Sequence, residues 1–123
     1  MGFARITDTS SFQNLIERSN QVPVVIFKHS LTCPISATAY DQMSQFEGDI
    51  ALVEVQRARE LSNEIEDKLN VPHESPQVIV LHNGQVAWNA SHFKITTEAV
   101  LTAVRSAKQT ERAQGATDYH GSD

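Results

Sequence analysis

The chain holds one cysteine in 123 residues, and that scarcity constrains it more than any other feature. A single thiol cannot close a disulfide inside its own chain. Neither a disulfide framework nor an internal two-cysteine redox couple is available, and a reducing compartment is the natural setting. Cationic residues are also in short supply. Ten lysines and arginines face fifteen aspartates and glutamates, giving a net charge of −5 and a pI near 5.4. With no run of lysine or arginine, this balance argues against nucleic acid as a partner. Long apolar stretches are missing as well. The longest, about Val22–Phe27, is far short of the roughly 20 residues that span a bilayer. The start, Met1-Gly2-Phe3-Ala4-Arg5, has no apolar signal region. These absences predict a cytoplasmic protein without a membrane partner.

What remains is the composition of a soluble globular chain, 40% apolar and 20% charged, long enough for one core. Phe3–Ile6 reads as a short edge strand. Phe12, Leu15 and Ile16 recur at helical spacing behind a cap at Ser10 or Ser11. Val22–Phe27 is continuous and β-branched, as in a strand covered on both faces, with Pro23 near its start. A helix with Ile35, Ala39, Met43 and Phe46 on one side follows, then a strand at Ala51–Val55. Leu61, Ile65 and Leu69 mark another amphipathic helix, which Val71-Pro72 stops. The acidic residues from Glu54 to Asp67 read as its solvated face.

Gln77–His82 is a buried strand, Asn83-Gly84 a two-residue hairpin turn, and Val86-Ala87-Trp88 the returning strand, with Trp88 packing on the hairpin. Thr96 or Thr97 caps a last helix with Val100, Leu101 and Val104 inward. The order β-α-β-α-β-β-α predicts an α/β sandwich: a central mixed sheet with helices on both faces. The domain is expected over residues 1–109, followed by a polar tail of no fixed structure at 110–123.

The lone thiol sits in Thr32-Cys33-Pro34-Ile35-Ser36, between a buried strand and a helix start. Unpaired backbone N–H groups and the helix dipole favour thiolate there, and the thiolate is the nucleophile. Pro34 suits the first helical position. Ser36 stands where a Cys-x-x-Cys pair would place its second sulfur, and is a candidate hydrogen-bond donor to Cys33. Thr32 is a candidate to cap the helix or to orient a bound thiol. Lys28 and His29 lie where the loop before Cys33 begins, as candidate cations beside the thiolate. No zinc-ligand spacing connects Cys33 with the scattered histidines, so no metal is expected.

Four blocks in order carry a resemblance: Lys28-His29-Ser30, Thr32 to Ser36, His73-Glu74-Ser75-Pro76-Gln77, and Trp88-Asn89-Ala90-Ser91-His92. The chain resembles the thioredoxin-like superfamily over roughly residues 3–108 and, within it, the monothiol bacilliredoxins. The resemblance implies a thioredoxin-like sandwich and removal of bacillithiol, a cysteine-glucosamine-malate thiol, from protein mixed disulfides. Cys33 is then the nucleophile, with Thr32, Pro34, Ser36, Lys28 and His29 in support and Lys28 meeting the malate carboxylates. His73, Glu74, Ser75, Pro76 and His92 meet the substrate, Pro76 after a cis bond. Nothing is held as a resident cofactor; bacillithiol is a co-substrate, and a second bacillithiol or another redox protein restores Cys33. The partners implied are bacillithiolated client proteins. A monomer is expected, with a Cys33–Cys33 dimer on oxidation. Two alternatives stay open at this point. A single-cysteine glutaredoxin-like protein carries an iron–sulfur cluster, although Gly-Phe usually stands where Pro34-Ile35 does here. A non-catalytic thioredoxin-like binding module is the other.

Overall fold

The computed structural model describes the backbone over residues 2–120 and side chains over residues 2–109. Its elements are β1 (Gly2–Arg5), α1 (Thr9–Arg18), β2 (Val24–His29), α2 (Pro34–Ser44), β3 (Asp49–Glu54), α3 (Arg59–Leu69), β4 (Gln77–His82), β5 (Gln85–Ser91) and α4 (Thr97–His120), with a 3₁₀ turn at His92–Lys94. The strands form one sheet in the order β1-β3-β2-β4-β5. The β1–β3 and β3–β2 pairs are parallel, whereas β4 runs antiparallel to β2 and β5 antiparallel to β4.

Strands β2 and β4 are buried at every residue, as continuous β-branched runs predict. Their side chains alternate between two cores. Val25, Phe27, Val78 and Val80 pack with Ala39 and Met43 of α2 and Val100 and Ala103 of α4. Val24, Ile26, Ile79 and Leu81 pack on the other face with Phe12 of α1 and Leu61 and Ile65 of α3. Each such side chain, fully withdrawn from water, contributes roughly 1.5–3 kcal/mol, so the two cores fix both helix layers to one rigid sheet.

Local signals set the boundaries. Asp8, rather than Ser10 or Ser11, caps α1: its Oδ1 accepts the Ser11 N–H at 2.9 Å, which also holds the Asp8 carboxyl below its usual pKa. Asn70 takes a left-handed φ of 54° at the end of α3, just before Val71-Pro72. Asn83 (φ 56°) and Gly84 (φ 72°) both take the positive φ that a tight hairpin requires. Thr96 Oγ1 accepts the Ala99 N–H and caps α4, while the Thr97 hydroxyl donates to Gln42 O at 2.6 Å and ties α4 to α2. Trp88 packs on the first core from β5. The backbone of α4 is helical to His120, through a stretch the sequence predicts as a tail. That stretch, Gln109-Thr110-Glu111-Arg112-Ala113-Gln114, is proline-free and rich in helix formers. Residues 121–123 and the side chains from 110 onward lie outside the described residues.

One boundary shift matters for function. The sequence predicts a strand at Val22–Phe27, yet β2 begins and ends two residues later, at Val24–His29. Pro23 cannot donate to the ladder and stays outside. At the far end Lys28 and His29 become strand residues, paired with Val53 and Glu54 of β3. Adjacent strand residues face opposite sides, so these two side chains part company.

Candidate active site

Cys33 is the N-cap residue of α2, with extended backbone (φ −97°, ψ 124°) and Pro34 as first helical residue. It is half-buried, and it lines a cleft of about 330 Å³ together with His29, Ser30, Leu31, Ala37, Tyr40 and Glu54. That volume admits a small thiol. Part of the lining is aromatic, from Tyr40 of α2 and His29 of β2. The Tyr40 ring lies 5.0 Å from the His29 ring and stacks at 4.7 Å on Phe3, and His29 also meets Phe27. Burial lowers the pKa of His29, against an upward pull from Glu54. The imidazole therefore enters the cleft neutral over most of the physiological range.

The loop into Cys33 is held from outside. Gln56, two residues past β3, accepts the Leu31 N–H at 3.0 Å and donates to Ser30 Oγ at 2.8 Å and Thr32 Oγ1 at 3.3 Å. From inside, buried Ser36 accepts the Ser30 N–H at 3.1 Å. Thr32 and Ser36 thus position the loop through Gln56 and Ser30. The bonds they form are not a helix cap by Thr32 or a contact from Ser36 to the sulfur, as the sequence predicts. Gln56 itself escaped the sequence reading. Its only signal is a polar residue at the carboxyl end of a parallel strand, where α/β sites gather.

Glu54 is not on a solvated helix face but ends β3, with 6% of its surface exposed. Arg5 Nε meets its Oε1 at 2.7 Å and Arg57 Nη1 meets the same oxygen at 3.3 Å. A carboxylate so buried is tenable because two guanidinium groups accompany it.

Lys28 lies elsewhere. It faces the α3 side of the sheet, fully buried, and is not among the residues lining the cleft. Burial pushes its pKa down to about 8, while Glu66 and Glu74 pull it up. It cannot present an ammonium to bound carboxylates from that position. What it adjoins is the segment before β4. There His73 N–H donates to Glu66 Oε2 at 2.6 Å, His73 Nδ1 meets Ser62 Oγ at 3.4 Å, and Gln77 Nε2 donates to Pro72 O at 3.1 Å. Burial, then the Lys28 charge, lower the pKa of His73. The Ser75–Pro76 bond is cis. His92, at a left-handed φ of 57°, closes this segment from β5: its N–H donates to Pro76 O at 3.1 Å and its Nε2 lies 3.5 Å from Glu74 Oε2. The segment blocks read from sequence, His73 to Gln77 and His92, are therefore one physical unit.

Among the described residues, three buried side-chain polar atoms have no hydrogen-bond partner: Lys28 Nζ, His29 Nδ1 and Ser75 Oγ. All belong to the end of β2 or the segment before Pro76. Buried polar groups are normally satisfied, and orphans gathered at one end of the sheet mark it as the functional end. No group of three or more metal-ligating side chains occurs among the described residues, and none of their helices is long and apolar enough to cross a membrane.

Comparison with known proteins agrees with this geometry. The family profile described as monothiol bacilliredoxin BrxC matches residues 4–100. The chain belongs to the monothiol bacilliredoxin family. The family match spans both the Cys33 loop and the His73–His92 unit. A solved structure described as a candidate oxidoreductase with a thioredoxin fold is 38% identical, with a TM-score of 0.76, over 82% of this chain and 92% of the other. More distant likenesses show the fold alone. Reduced thioredoxin pre-protein of Schistosoma mansoni is 13% identical (TM-score 0.64, 86% of this chain, 98% of that one). Spinach chloroplast thioredoxin f is 12% identical (TM-score 0.64, 86% and 93%). The fold is thus thioredoxin-like, and the bacilliredoxin family places the chain among thiol redox proteins.

Proposed function

We propose that this protein removes bacillithiol from protein mixed disulfides by a one-cysteine exchange. The observation that carries the proposal is the lone thiol at the N-cap of α2 on the wall of a cleft sized for a small thiol, in a chain of the monothiol bacilliredoxin family. The Cys33 thiolate attacks the bacillithiol sulfur. The client–bacillithiol S–S bond breaks, a Cys33–bacillithiol S–S bond forms, and the client leaves as a thiolate that takes a proton from water. A second thiol, from another bacillithiol or a separate redox protein, then attacks the adduct and restores Cys33. No net oxidant is consumed, because each step exchanges one disulfide for another. The backbone at Ser75, before cis-Pro76, pairs with an extended client segment in the manner of strand addition, with His73, Glu74 and His92 holding that segment. The setting is the cytoplasm and the working form a monomer, which oxidation links through Cys33.

The test is turnover of a bacillithiolated client, followed by the appearance of client thiol with and without added bacillithiol. A single stoichiometric burst without it, multiple turnovers with it, and no reaction in Cys33→Ser are expected. Multiple turnovers in the absence of any small thiol would overturn the one-cysteine scheme.

A further inference from the structure

Two arginines are anchored on a carboxylate in the wall of the cleft that holds Cys33. Glu54 forms part of the cleft wall. Its carboxylate carries both Arg5, through Nε–Oε1 at 2.7 Å and Nη2–Oε2 at 3.5 Å, and Arg57, through Nη1–Oε1 at 3.3 Å. Two guanidinium groups against one carboxylate leave a local charge of +1, in a chain whose net charge is −5. The two arginines differ from Glu54 in exposure. The carboxylate side chain is 7% exposed, while Arg5 and Arg57 are 54% and 60% exposed. Each guanidinium has five N–H donors in a fixed fork. Arg57 spends one nitrogen on Glu54 and Arg5 two, so donors remain on two half-exposed guanidinium groups held to a buried base. This is a geometry suited to planar anions, since arginine recognises carboxylates through paired N–H groups. The three residues come from separate elements: β1, the end of β3 and the turn before α3.

We propose that Arg5 and Arg57, anchored on Glu54, bind the carboxylates of the small thiol while its sulfur is in exchange at Cys33. This rests on the exchange proposed above and names what makes it selective for an acidic thiol. It also moves the carboxylate contact away from Lys28, which lies buried on the other face of the sheet. Glu54 acts as the positioning residue, and the arginines as specificity determinants.

The experiment uses one client protein carrying, at the same cysteine, either bacillithiol or a neutral thiol such as N-acetylcysteamine. Any acidic groups of the client are then identical in both arms. Rates are compared for the wild type, Arg5→Gln, Arg57→Gln, the double variant and the two Lys substitutions. The wild type is expected to favour the bacillithiol adduct in kcat/KM. Each Gln substitution lowers that preference by about tenfold, chiefly through KM, and leaves the neutral adduct within about twofold. Arg→Lys recovers part of the loss, and salt erodes the preference in the wild type but not in the double variant. Equal losses on both adducts, with the fold intact by circular dichroism, would overturn the arginine proposal: the arginines would then serve the frame or the client while the exchange at Cys33 stands. Failure of the wild type on bacillithiol, with good activity on the neutral adduct, would instead overturn the substrate assignment.

Discussion

Glu54 and Lys28 stand near the carboxyl ends of adjacent central strands, both nearly stripped of solvent, and their surroundings are opposite. The acid is paired twice over, by Arg5 and Arg57. Among the described residues the base makes no hydrogen bond, and the fields of Glu66 and Glu74 offset part of its burial. A buried charge with good partners is close to neutral for stability; one without them is a cost. The first therefore serves as a fixed point on which a surface is built. The second is a destabilising residue retained beside the segment that leads to Pro76.

Removing Lys28 breaks the comparison most sharply. Lys28→Met fills the same volume without a charge and is expected to raise stability by about 2 kcal/mol, read by chemical denaturation near pH 7. Loss of stability would show that the ammonium is paired after all. The same residue sets a pH window. Its folded pKa, about 8, lies below the ordinary lysine value of 10.5, so the unfolded chain binds more protons between those values. Stability should rise as pH climbs from about 8 to 10.5, by on the order of 3 kcal/mol, and Lys28→Met should flatten that rise.

Glu54→Gln breaks the other half. It removes the charge that anchors two half-exposed arginines, and an expected loss of about 1–2 kcal/mol follows from the charge-assisted bonds. Because Glu54 pulls the His29 pKa up against burial, His29 should then titrate lower still, as NMR of its ring protons would show; an unchanged or higher value would refute the coupling. The smallest effect belongs to an exposed ion pair. Lys68→Gln removes the partner of Glu64, 3.3 Å away on the surface of α3, with side chains 42% and 20% exposed. Less than about 0.5 kcal/mol is expected at neutral pH.

The comparison also shows what was legible in the sequence. The core strands, the hairpin at Asn83-Gly84 and the helix faces of α1 and α3 follow from apolar periodicity and turn chemistry, because those signals are local. The same signals fail at Lys28 and Glu54. A strand predicted to stop at Phe27 leaves Lys28 in the loop beside Cys33; a strand that continues to His29 turns it to the opposite face. Two residues of extra ladder, set by pairing with Val53 and Gln77, are a tertiary outcome. Glu54 looks like one of many surface acids until Arg5, 49 positions away, is seen to pair with it. Cys33 and Pro34 were legible from their place between a strand and a helix start, whereas the His73–Pro76 block was read from the family resemblance. Gln56 was not, since its three bonds reach residues 24 to 26 positions distant.

The most direct test of the central claim is the mass of the species trapped on Cys33. Reduced protein is mixed with an equimolar bacillithiolated client, quenched with acid and weighed intact. The account predicts a gain of one bacillithiol on this chain, a matching loss from the client, and neither change in Cys33→Ser. A covalent complex between Cys33 and the client, with bacillithiol released free in solution, would contradict it.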